Sequence, residues 1–162
     1  MTMQYDVKSY HNTASGVAVP YRTRLKGVVI SPISSTTYNV AIANNVSQSG
    51  TYDIPGTTTC TITIAGHGVV LGSRVWLQFT SGNAISNTYV VTAVTQNTFT
   101  VTTGTLTTSG NVTVYNQILT ELDCSTGTAF YTLIPGEGIL ALDGIYVGLP
   151  AADAVSSTIF YG

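Results

Sequence analysis

In the stretch Tyr21–Ile30, YRTRLKGVVI, Arg22, Arg24 and Lys26 fall on one side of an extended chain and Thr23 and Leu25 on the other. A period of two sends successive side chains to opposite faces of a strand, and the β-branched VVI that follows favours the same state. The stretch therefore reads as a strand with one wet and one buried face. Three like charges in a row resist unwanted pairing at a sheet edge and favour an acidic partner. Arg22, Arg24 and Lys26 are candidate interface residues on an edge strand, beside the plainer reading of a solvated face.

The same alternation recurs outward from this strand. Residues 37 to 42, TYNVAI, are expected to pair with it. After a turn in SQSGTYDIPG (47 to 56), strands are read at 60 to 64, 74 to 79, 89 to 94 and 98 to 101. A Thr/Gly-rich connector, TTGTLTTSG (102 to 110), leads to strands at 112 to 115, 117 to 123, 129 to 133, 138 to 142, 145 to 147 and 158 to 161. No run of about ten residues has the 3.6-residue period of a helix. Short strands between turn residues point to an all-β sandwich or barrel.

Only 12 of the 162 residues are Asp, Glu, Lys or Arg, 7% of the chain, where an ordinary soluble domain has about 25%. Free monomers keep themselves soluble with mixed surface charge, whereas surfaces that become interfaces can carry Thr, Ser, Asn and Gly instead. The deficit favours a subunit of an assembly over a secreted or glycan-facing β domain, which can share the composition. At 44% hydrophobic residues the chain can offset its ordering entropy and fold.

The charges are segregated. Lys8, Arg22, Arg24 and Lys26 face only Asp6 in residues 1 to 26, while residues 121 to 162 hold five acids and no cation. The net charge of −2 does not suggest nucleic-acid binding. Val75 to Thr120 is free of formal charge, but is threaded with Thr, Ser, Asn and Gln, so no membrane helix is read there. MTMQYDVKSYHN (1 to 12) lacks the apolar core and cleavage site of a secretory signal, and folding in a cytoplasm is expected.

Chemistry finds little to work with. His11 and His67 have no ligand-spaced Cys, acid or second His, so no metal is expected. His67, in AGHGV, reads as part of a tight turn. Cys60 and Cys124 are too few for a zinc site or a disulfide framework; two buried free thiols are expected, with a bridge across the base of an inserted segment left open. No Ser occupies a GxSxG elbow and no glycine loop leads into GK[ST]. Glu137 and Asp143 could be imagined as a glycosidase pair, yet both lie beside glycines, in PGEG and LDG, where turns explain them. No catalytic residue and no cofactor are assigned. Trp76 and the tyrosines could form a sugar platform, but core or subunit contacts account for most of them.

Three segments carry a resemblance. RTRLKGVVI (22 to 30), the pair LTELDC (119 to 124) and FYTLIPGEGILALDGIYVGL (130 to 149), and the closing AVSSTIFYG (154 to 162) resemble a family of small phage virion proteins. Residues 61 to 102, TITIAGHGVVLGSRVWLQFTSGNAISNTYVVTAVTQNTFTVT, resemble a small β-barrel module found inserted in phage tail and capsid-associated proteins. Ser73 and Arg74 stand where that module usually has a polar or acidic pair. These motifs consist of turn glycines and core positions, so they speak of architecture more than of activity.

The expected fold is a jelly-roll-like β-sandwich from residues 16–57 and 116–162, interrupted by an inserted small β-barrel at 58–115, with residues 1–15 as an extended arm. The arm, with Tyr5 and Tyr10, is expected to order on a neighbouring subunit or on the capsid shell. The resemblance implies a structural protein of a bacteriophage virion, with capsid decoration (cement) favoured over a tail or neck role in which the insert touches host glycan through Trp76. The implied partners are the major capsid protein and further copies of this chain, as a homo-oligomer on the capsid surface, with neither nucleic acid nor membrane.

Overall fold

The computed structural model describes residues 6–33, 38–124, 128–150 and 155–162. Their regular elements are all strands: β1 (Lys8–Asn12), β2 (Gly16–Val19), β3 (Thr23–Pro32), β4 (Tyr38–Asn44), β5 (Gln48–Thr63), β6 (Arg74–Phe79) and β7 (Asn87–Val94). There follow β8 (Thr98–Tyr115), β9 (Ile118–Cys124), β10 (Phe130–Leu133), β11 (Ile139–Ala141), β12 (Ile145–Gly148) and β13 (Val155–Tyr161). The chain is all-β, as its alternation required.

Two compact units divide it, residues 1–45 with 119–162, and residues 46–118. The first is a sandwich of two sheets, ordered β1-β13-β3-β10, with β11 also on β3, and β2-β12-β4-β9. Leu25, Val28 and Ile30 of β3 and Ile159 of β13 meet Val40 and Ile42 of β4 and Ile145 and Val147 of β12 in one core. Burying each such side chain stabilises the fold by about 1.5–3 kcal/mol.

The alternation in β3 is as read: Thr23 and Leu25 are buried while Arg24 and Lys26 are half-buried on the other face. Its neighbours differ from expectation. β4 is not its partner; β4 pairs with β12 and β9 in the opposite sheet, so that Val40 and Ile42 reach the core from across it. β3 lies between β13 on one side and β10 and β11 on the other. Arg24 and Lys26 therefore sit on a central strand and not on an edge strand, and Arg22 precedes it.

The expected arm is also corrected where it is described. Within it Lys8–Asn12 pairs antiparallel with β13, from Lys8↔Tyr161 to Asn12↔Ser157; beyond it Gly16–Val19, inside the expected sandwich, pairs with β12. The polar side chains of β1 concealed it, but the free edge of β13 offers main-chain partners that any sequence can use. Tyr5 lies outside the described residues.

In the second unit the sheet order is β5-β8-β6-β7, with β7 also returning to β8. β5 and β8 pair from Gln48↔Val114 to Thr63↔Thr98. The segments read as a turn (47 to 56) and a connector (102 to 110) thus lie largely within these two strands, and the unit starts before the expected residue 58. Pro55 and Gly56 are absorbed by register shifts between Pro55 and Thr59, which is how strands tolerate such residues. The expected barrel is not closed: β5 is hydrogen-bonded to β8 alone, leaving its second edge without a strand partner among the described residues. Ile54, Ile62, Val75, Leu77, Phe99 and Val101 form this unit's own core.

Candidate functional site

The charged stripe resolves into three environments. Arg22 is exposed ahead of β3. Arg24 Nη1 donates to the Gly138 carbonyl at 3.5 Å and Lys26 Nζ to the Glu137 carbonyl at 3.0 Å. Two of the three cations thus tie down the loop between β10 and β11, although each retains half-exposed surface.

Beside Lys26, the outer face of the first sheet carries an apolar hollow of about 280 Å³. Tyr131 and Leu133 of β10, Phe160 of β13 and Pro135 of the loop contribute to it. Tyr131 and Phe160 meet edge to face, with ring centroids 6.3 Å apart. The register that sets Tyr131 opposite Val29 and Leu133 opposite Gly27 directs both away from the core. Phe130, Tyr131 and Leu133 are 45%, 55% and 64% exposed. Sequence reading had placed a strand here without singling out these residues. The available signal was FYTL itself, a strand without charge or proline to protect it.

Tyr10, on β1, is 44% exposed. Trp76 is fully buried, and its Nε1–H has no hydrogen-bond acceptor among the described residues. An indole so placed is no sugar platform. Tyr10 and the stripe belong to the first unit and Trp76 to the second.

Of the imagined carboxylate pair, Asp143 is part of a turn. Asn44 Nδ2 donates to Asp143 Oδ2 at 2.8 Å, and the Asp143 amide donates to Asn44 Oδ1 at 3.0 Å, a reciprocal clamp on the turn before β12. At Glu137 it is the backbone carbonyl, not the carboxylate, that accepts from Lys26 Nζ. His67 is likewise internal: the Val69 amide donates to Nδ1 at 3.0 Å, and Nε2, which must then carry the proton, donates to the Thr95 carbonyl at 3.1 Å. Gly66 and Gly68 flank it at φ of 63° and 62°, a left-handed pair that turns the ring inward onto Phe99. Burial, with the Asp53 charge behind it, pushes the Cys60 thiol up from 9.0 to about 12. Cys124 is raised as well, again chiefly by burial. Both cysteines are free, each in a different core. Among the described residues no three His, Cys, Asp or Glu side chains come together as metal ligands, and no helix is long and apolar enough to cross a membrane.

Fold and site together define an all-β protein of two units in which Asp143 and His67 serve turns and whose exposed apolar side chains include a cluster at a strand edge. No family model matches the chain, and no curated protein matches it. Among solved structures it is similar to the phage phi92 endosialidase, with a TM-score of 0.35 and 19% identity over 83% of this chain. It spans 22% of that protein's length.

Proposed function

We propose that this chain is a structural protein of a bacteriophage virion, a capsid decoration subunit that binds the major capsid shell and stabilises it. The observation that carries this reading is the surface of the first unit. With charge at 7% of the chain, exposed aromatic and aliphatic side chains gather on β10 and the adjoining sheet face. Such a surface suits burial in an assembly, where each contact is weak and lattice repetition multiplies it. The sequence resemblance to small virion proteins supports the same reading, since its motifs fall on β3, on β9 to β12 and on β13.

Binding to the assembled shell and not to the free subunit stabilises the shell by mass action. Locating the chain by electron microscopy of particles tests the reading directly. Density over the capsid lattice is expected, together with DNA release at a lower temperature from particles lacking the chain. Density confined to the tail or neck, or unchanged release, would overturn decoration.

A further inference from the structure

We infer that copies of this chain join head to tail through the first unit, the β9/β10 side of one copy docking on the β1/β2 side of the next. This inference rests on the assembly reading above and names the surfaces it would use.

The topology supplies two unlike sides. β1 and β10 end one sheet of the sandwich, and β2 and β9 end the other. β1 lies beside β2, and a shared hollow lined by Asp123, Cys124 and Phe130 sets the end of β9 against the start of β10. Each side of the sandwich therefore presents two sheet edges with no strand beyond them among the described residues. Unprotected edges are templates for another strand, and proteins that stay apart blunt them with lysine, proline or bulges. β10 has none of these, and its Phe130, Tyr131 and Leu133 are exposed. Facing it in the next copy would be β1 with exposed Tyr10 and β2 with exposed Val17, an aromatic and β-branched match of the kind that stabilises cross-strand pairs.

Charge selects the orientation. β9 carries Glu121 and Asp123, whereas Lys8 of β1 lies in a groove with Arg22 and Asp6, one net positive charge against two negative. Docking β9/β10 on itself would bring Glu121 and Asp123 towards their own copies. Docking on β1/β2 brings them towards Lys8 and Arg22, and complementary charge fixes register and partner more than it adds affinity. A contact between two unlike surfaces closes into a ring or runs on as a filament, according to the rotation between copies.

Sedimentation of the full chain tests this. Wild type should associate with rising concentration. Tyr131→Lys with Leu133→Lys blocks one side, and Tyr10→Glu with Lys8→Glu blocks the other; each pair should weaken association by about a hundredfold, through charge placed against an apolar edge or a like charge. The decisive sample is the equimolar mixture, where one intact side on each variant allows a dimer and nothing larger. A monomeric wild type, a monomeric mixture, or a β10 variant alone losing association while the β1 variant keeps it would overturn the inference. Thermal melts confirm that the variants fold; should the lysine pair not, Tyr131→Thr with Leu133→Thr carries the same expectation. Oligomers in solution that are absent from particles would overturn the virion reading and leave this one standing, and isolated copies on particles would do the reverse.

Discussion

His67 shows how a residue chosen for chemistry can prove to be architecture. Its two ring nitrogens satisfy the Val69 amide within the turn and the Thr95 carbonyl of a distant segment. His67→Ala leaves the buried Val69 amide without its partner, at about 1–3 kcal/mol, while the part-buried Thr95 carbonyl can turn to water; urea denaturation should show a loss of that order, and His67→Gln, which can still serve one of them, a smaller one. The sequence showed the turn through its two glycines but not the inward ring, because the Thr95 carbonyl that receives it lies far along the chain. Cys60 gives a second residue-scale expectation. Its folded-state thiol is raised from 9.0 to about 12, and Tyr89, beside it, from 10.0 to about 12, mainly by burial. A group whose pKa is raised by folding contributes stability that is whole below its unfolded pKa and is lost as pH climbs through the folded one. Stability should therefore fall between about pH 9 and pH 12, and Cys60→Val should flatten that fall in melts taken across the range.

Among the elements, those read correctly are rich in β-branched, aromatic and aliphatic side chains. RVWLQF is β6 residue for residue, and TRLKGVVI lies within β3. Elements misjudged or missed had glycine, proline or polar residues where main-chain pairing, invisible in a sequence, set the structure. Thus Gly50 sits inside β5 because a Cβ there would collide with Ile64 and the Thr63 carbonyl, and β1 is held by β13 in spite of its wet side chains. The turn before β12 was legible as LDG, and its requirement is strict: Gly144 has φ of 102°, and a Cβ would run into the Val19 carbonyl of β2. Gly144→Ala should cost about 1–3 kcal/mol of strain and displacement, read as a lowered melting temperature. The exposed strand edge at β10 was present in the sequence as FYTL, yet only the sheet order reveals which strands lie at an edge.

For the molecule as a whole, charge scarcity pointed to assembly, and the two-unit organisation gives that scarcity a location. The first unit holds the four cations of the N-terminal stretch and the acids of β9 and the β10 to β12 turns. The second, residues 46–118, holds only Asp53 and Arg74. Wherever β5 and β8 expose side chains, these are mostly threonine and serine, on strands hydrogen-bonded to each other over nearly their full length. Such a surface meets water through hydroxyls whose hydration does not depend on counterions, so salt has almost nothing there to screen. The long β5/β8 ribbon, with Asp53 as its one charge, thus leaves most of the response to ionic strength to the sandwich.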